Sequence, residues 1–271
     1  MPSRNPAFSR GFGAAGNGQQ YAGWGAQPQP QYGAPAQNDP YAAPSPYAAT
    51  TTRYMTMDDV VTKTGVSFLV TVLAAAAVWA LPGQAAWGLA LPAVLVAFVL
   101  GLVIAFKQIA NPVATLAYGA LYGVALGAIS EAFNNIYGEG IVVQALIGTF
   151  GVFAGMLVVY KTGAIRVTPK FTRWVLAALI GVLVLVLANL VASFFITGGL
   201  GLRAGGPVAI IFSLVVIGVA AFSLLLDFDM ADEAIRRGAP AKFAWYIAFG
   251  LLVTVVWLYL EILRLLSYFR D

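Results

Sequence analysis

Seven apolar runs, each long enough to cross a membrane as a helix, constrain this sequence more than any other feature. About 20 residues of helix cross a hydrocarbon core of about 30 Å. Only 10% of the 271 residues are charged, whereas a soluble domain carries about 25%. We therefore predict an all-α polytopic membrane protein, a seven-helix bundle surrounded by the lipid bilayer. The predicted spans are 59–81, 87–106, 112–133, 141–160, 174–196, 207–226 and 245–266.

The first 53 residues differ in composition from everything after them, since they hold eight of the fourteen prolines and seven glycines, with recurring Gln and Tyr. Such a segment buries too little apolar surface to offset its ordering entropy. We predict a disordered cytoplasmic tail at 1–53 and a transmembrane domain at 54–271. Scattered aromatic residues leave open a role in partner binding, and a solubilising tail is the simpler interpretation.

The positive charges are distributed unevenly between the two sides of the predicted bundle. Twelve of the fifteen Lys and Arg residues fall with the tail and the second, fourth and sixth loops, and only Arg203, Arg264 and Arg270 fall on the other side. Positive charge collects on the cytoplasmic side of membrane proteins. We predict a multi-pass protein of the cell membrane with a cytoplasmic N-terminus and an external C-terminus. The net charge of +4 lies in these loops and does not indicate nucleic-acid binding.

The sequence contains neither cysteine nor histidine. Zinc and most redox metals need these ligands, so we expect no metal centre and no cofactor. There is also no nucleophile elbow and no phosphate-binding loop, because the glycine-rich segment 198–206 is not followed by Lys-Ser or Lys-Thr. We therefore expect that the protein is not an enzyme.

Two helices carry glycine at a spacing of three or four residues. Small residues at this spacing form one face of a helix and let a neighbouring backbone approach closely. We predict helix packing along both faces, although a glycine face can also line a narrow path. The glycines are Gly119, Gly123 and Gly127 in the third span and Gly148, Gly151 and Gly155 in the fourth.

A cluster of acidic residues begins where the sixth apolar run ends. Asp227 follows the run directly, and we place it in the last turn of the sixth helix, where a functional role and a capping role are both open. At roughly 100° per residue it points about 200° away from Asp229. The other charges predict a solvated face of ion pairs, formed by Asp229, Asp232 and Glu233 with Arg236 and Arg237.

Glu131, Glu261 and Arg264 also fall inside the predicted spans, where charge is costly and usually marks function. Glu261 and Arg264 share one face of the seventh helix with Thr254, and their spacing of three allows an ion pair. That pair is either structural, near the outer interface, or part of an ion path. Glu131 is expected at the membrane interface.

Four short segments, in this order along the chain, carry a resemblance. They are GVALGAIS at 123–130, VVQALIGTFGVF at 142–153, LLLDFD at 224–229 and WLYLEILRLL at 257–266. Together with the seven spans, they resemble the bacterial branch of the Bax inhibitor (transmembrane Bax inhibitor motif) family over residues 55–268. The resemblance implies a bundle in which the seventh helix is central and surrounded by the other six.

The resemblance also implies a pH-sensitive calcium leak channel, in which one carboxylate on helix six and one on helix seven share a proton. Asp227 matches the helix-six position, whereas Thr254 stands near the helix-seven position, where its hydroxyl can hydrogen-bond Asp227 but cannot share its charge. The implied ion pathway and pH sensor comprise Asp227, Thr254, Glu261 and Arg264, with Asp229 and Asp232 as secondary candidates. The alternative is a non-conducting regulator that binds other membrane proteins, such as a membrane protease.

Overall fold

The computed structural model describes residues 53–81 and 83–270, and within them the chain forms seven long helices and one short 3-10 helix. All seven are long and apolar enough to cross a membrane, which confirms the predicted all-α polytopic fold. Apart from Arg53, the predicted disordered tail lies outside the described residues. The elements are α1 (Met57–Trp79), α2 (Gly83–Lys107), α3 (Pro112–Tyr137), α4 (Ile141–Thr162), α5 (Pro169–Ser193), α6 (Gly206–Arg236), the 3-10 helix (Ala241–Phe243) and α7 (Ala244–Ser267).

Local sequence signals account for several helix starts. Thr56 caps α1 by accepting from the amide of Asp59, whose carboxylate in turn accepts from the amide of Thr56. Pro112 and Pro207 occupy the first turns of α3 and α6, as predicted, because a proline there gives up an amide that has no helical partner.

The predicted end of α6 at residue 226 is wrong, since the helix continues to Arg236. Its 31 residues make it about 46 Å long at 1.5 Å per residue. Beyond the apolar run, side-chain pairs one turn apart sustain the helix, such as Arg236 with Glu233 at 2.9 Å. Asp227 consequently lies more than two turns before the end of α6, and its predicted position in the last turn is also wrong.

Helix α7 occupies the centre of the bundle, and it is the most buried of the seven spans. It packs directly against α1, α3, α4 and α6. The remaining two helices lie outside this ring, because α2 packs on α3 and α5 packs on α6. The central position implied for the seventh helix is therefore confirmed, with four direct neighbours rather than six.

The glycine face of α3 packs closely against α1. A Cβ at Gly123 would collide with the carbonyl oxygen of Thr71, and one at Gly127 would collide with that of Ala75. The glycine face of α4 behaves differently, since a Cβ at Gly151 would meet no atom of the described chain within 4 Å. Gly155 is equally open, so the predicted packing holds for α3 and not for these two positions of α4.

A short backbone pairing joins the residues before α1 to the connection between α6 and α7. The amide of Met55 donates to the carbonyl of Ala239 at 2.8 Å, and the amide of Ala241 donates to the carbonyl of Arg53 at 2.8 Å. The ammonium of Lys63 also donates to the carbonyl of Ala241. This pairing, here called the clasp, places the start of the transmembrane domain and the α6–α7 connection on the same side.

Candidate functional site

Asp227 on α6 and Thr254 on α7 form a hydrogen bond between the two helices. The hydroxyl of Thr254 donates to Oδ2 of Asp227 at 2.7 Å, as the sequence allowed. The same hydroxyl lies 3.2 Å from the carbonyl oxygen of Gly250, one turn earlier on α7. Thr254 is buried, so its hydroxyl has two acceptors and one proton to share between them.

The backbone around this pair leaves space for the carboxylate. A Cβ at Gly250 would lie 3.6 Å from Oδ1 of Asp227, an ordinary van der Waals contact, so the carboxylate lies directly beside the backbone of α7 and would still fit next to an alanine there. Asp227 forms no ion pair with any residue in 53–81 or 83–270. Its hydrogen bond to Thr254 is thus the main polar contact that the described chain offers it.

The geometry allows the pair to exist in two protonation states. An ionised Asp227 accepts the proton of the Thr254 hydroxyl in a charge-assisted hydrogen bond. A protonated Asp227 can instead donate to Thr254, whose own proton then turns to the carbonyl of Gly250. The hydrogen bond is present in both states. When Asp227 is protonated, however, the donor and the acceptor exchange roles and the bond is no longer charge-assisted.

Glu261 lies further along α7 in a separate cluster of charges. Its Oε1 accepts from Arg203 at 3.1 Å and lies 3.6 Å from Arg264, so the predicted pair with Arg264 is present. Glu261 is only 3% exposed. Its Oε2 and the Nε of Arg203 are buried without a hydrogen-bond partner in the described part of the chain.

The sequence did not reveal Arg203 as a partner of Glu261, because it lies in the connection between α5 and α6, 58 positions before Glu261. Two influences lower the pKa of the Arg203 guanidinium, burial first and the nearby charge of Arg264 second. The carboxylate of Glu261 acts in the opposite direction. In the sequence, only the predicted position of both residues on the external side of the membrane grouped Arg203 with Arg264.

The candidate residues therefore divide between two levels of α7. Thr254 and Glu261 are separated by about 10 Å along the helix, at 1.5 Å per residue. Asp227 contacts the first of them, whereas Glu261 is occupied by two arginines. The structure does not bring Asp227 and Glu261 together as a pair of carboxylates.

The secondary candidates lie on the last turns of α6. Asp232 and Glu233 pair with Arg236 at 3.6 and 2.9 Å, as predicted for a solvated face. The hydroxyl of Tyr160 on α4 donates to Asp232 at 3.5 Å. The prediction is wrong for Asp229, which is partly buried and has no ion pair among the described residues.

Comparison with known proteins places these observations in a family. The model of the Bax inhibitor 1 like family matches residues 5–271, nearly the whole chain. No match is found among curated proteins. Since the family model covers all seven helices and both charged sites, the chain belongs to the Bax inhibitor 1 like family.

Proposed function

We propose that this protein is a leak channel for cations, calcium in particular, and not an enzyme, and that Asp227 makes its conductance depend on pH. The observation that carries the proposal is the 2.7 Å hydrogen bond between Thr254 and Asp227, inside the bundle and between two of its helices. Family membership supports it. The excess of Lys and Arg in the N-terminal segment and in the second, fourth and sixth loops supports a cell-membrane protein with a cytoplasmic N-terminus and an external C-terminus.

The cost of a carboxylate within a transmembrane helix favours a working role for Asp227. On insertion scales an acidic residue at the centre of such a helix costs about 2.5–3.5 kcal/mol. Glu261 offsets this cost with two arginines, whereas Asp227 has a single hydroxyl. Because few polar partners offset the free-energy cost of placing Asp227 in the membrane, we expect its charge to serve the function of the protein.

The hydrogen bond also suggests how pH acts. Charge-assisted hydrogen bonds are roughly twice as strong as neutral ones. An ionised Asp227 thus holds α6 firmly against α7, and protonation weakens this contact. We expect the closed state to be favoured at higher pH and the leak to increase as the pH falls.

The Glu261 cluster supports a structural role more than a conducting one. Oε1 of Glu261 faces the guanidinium groups of both Arg203 and Arg264. Two positive groups around one carboxylate leave little negative potential to attract a cation. We assign Glu261 and Arg264 to anchoring α7. We assign Asp229 and Asp232, on the last turns of α6, to the entrance of the ion pathway.

The test is calcium influx into dye-loaded proteoliposomes between pH 6 and 8. Asp227→Asn resembles the protonated state, so it should leak at every pH and lose the response to acid. Thr254→Val should raise the flux at high pH by removing the donor. The matched control is Tyr259→Phe, which removes a hydrogen bond of 2.7 Å between Ser130 on α3 and α7 without touching a carboxylate. It should retain the pH response.

A pH response that is identical in wild type and Asp227→Asn would refute the role of Asp227. If folded wild-type protein moves no calcium at any pH, the protein is not a channel. That result would favour the alternative, a regulator that binds other membrane proteins. The observation behind the alternative is that Asp227 meets a threonine, and no second carboxylate, on α7.

A further inference from the structure

A deep apolar cleft of about 750 Å³ separates α1 from α4. Both helices pack against α7 but scarcely against each other, so Leu251 and Val255 of α7 form the floor of the cleft. Its edges lie open, since Val61 on α1 is 64% exposed and Phe150 on α4 is 50% exposed. The cleft therefore opens sideways, toward the surroundings of the bundle.

The cleft continues along the helices into a second one of about 330 Å³. Phe68, Phe150 and Val255 line both, and the linings of both are almost wholly apolar. Hydrocarbon is the expected occupant of such a sideways opening at membrane depth, because the linings offer water only scattered hydroxyls, such as that of Thr64. The size and shape suit an extended acyl chain lying between α1 and α4.

One mouth of the cleft carries positive charge. Lys161, at the end of α4, and Arg166, in the following connection, line the mouth and are exposed. Neither forms an ion pair with a carboxylate of residues 53–81 or 83–270. The one acidic residue of the lining, Asp232, is already paired with Arg236. The mouth is thus free to receive a negative group.

We propose that this cleft binds an anionic phospholipid, with an acyl chain between α1 and α4 and the phosphate at Lys161 and Arg166. The cleft matches the two parts of such a lipid. Its apolar lining lies at membrane depth, where the acyl chain would lie, and its two basic residues lie at the surface, where the phosphate would lie. A zwitterionic lipid matches the cleft less well, because its own cation opposes the two basic side chains. The site does not depend on ion conduction.

The test is native mass spectrometry of the full chain. The protein is mixed in detergent with equal amounts of phosphatidylglycerol and phosphatidylcholine that have identical acyl chains, and the lipids that remain bound after release from detergent are identified. Wild type should retain one phosphatidylglycerol in preference to phosphatidylcholine. Lys161→Ala with Arg166→Ala should weaken its retention about tenfold, since each basic residue near an anionic surface contributes to binding. Lys170→Ala with Arg173→Ala is the matched control, because these exposed residues start α5 outside the cleft.

A second pair of variants tests the chain site. Gly65 lines the cleft, and a Cβ there would meet no atom within 4 Å, so Gly65→Leu should fill the cleft and displace the lipid. Gly181→Leu on α5 is the control, because its position is equally open and lies outside the cleft. Glycerol phosphate, which has the head group without the chains, should not compete.

Any of four results would overturn the proposal. The first is equal retention of the two lipids by the wild type. The second is equal loss of phosphatidylglycerol from the cleft variants and their controls. The third is competition by glycerol phosphate. The fourth is a dimer that carries no lipid and dissociates on Gly65→Leu, which would assign the cleft to a second copy of the chain.

Discussion

Glu261 on α7 accepts a hydrogen bond from Arg203 at 3.1 Å, although the two residues are 58 positions apart. Arg203 belongs to the connection between α5 and α6, so the contact ties that connection to the central helix. Arg264 adds a second positive group at 3.6 Å. The two half-buried arginines and the buried carboxylate form an anchor at the end of the bundle opposite the clasp.

Removal of the two arginines should destabilise the protein more than removal of the carboxylate. Arg203→Met with Arg264→Met leaves Glu261 charged and almost fully buried, a situation that costs about 3–5 kcal/mol. Glu261→Gln should cost only about 1 kcal/mol, because both arginines are about 30% exposed and can turn to solvent. Thermal or denaturant unfolding in detergent would show which of the two variants has lost more stability.

Arg237→Met provides the control for this comparison. Its pair with Glu233 is exposed on α6 and should contribute little to stability, because water screens exposed ion pairs. Equal stability of the double arginine variant and the wild type would show that the two arginines and Glu261 do not form an anchor.

The two glycine faces should respond in opposite directions to alanine. Gly123→Ala places a methyl group against the backbone of α1, and such overpacking typically costs about 1–3 kcal/mol. Gly151→Ala meets open space and should gain up to about 1 kcal/mol from helix propensity. Both changes are identical chemically, so equal shifts in the unfolding midpoint would argue against the close packing of α3 on α1.

Two buried threonines offer a further contrast. The hydroxyl of Thr115 donates to the carbonyl of Trp245 at 3.1 Å, whereas that of Thr64 has no partner in the described chain. Thr115→Val should cost about 1 kcal/mol, and Thr64→Val should be neutral or stabilising. Unfolding measurements on the two variants check this, and a larger loss at Thr64 would mean that its hydroxyl is satisfied in the membrane.

The sequence predicted the helices well because apolar length is a local property. The resemblance also placed Thr254 near the helix-seven position, where a hydrogen bond to Asp227 was possible, and the structure forms that bond. The end of α6 was missed because charged residues were taken as the boundary of the helix. The ion pairs that the sequence predicted for these residues, such as Arg236 with Glu233, instead lie within the helix and continue it to Arg236.

The remaining features depend on contacts between distant segments. The pairing of Met55 with Ala239 carries no sequence pattern, because backbone groups make it. The cleft is equally invisible in the sequence, since its apolar lining resembles any packed helix face until α1 and α4 are seen to stand apart. The open glycines of α4 were misassigned for the same reason.

The clasp restrains the joint between α6 and α7 through backbone groups. The amides of Met55 and Ala241 donate its two hydrogen bonds, so most changes of side chain at these positions leave both bonds in place. Only proline removes a backbone amide, so proline at position 55 or 241 is the substitution that would open the clasp. The joint between the two helices that carry Asp227 and Thr254 is therefore held by contacts that tolerate changes in sequence.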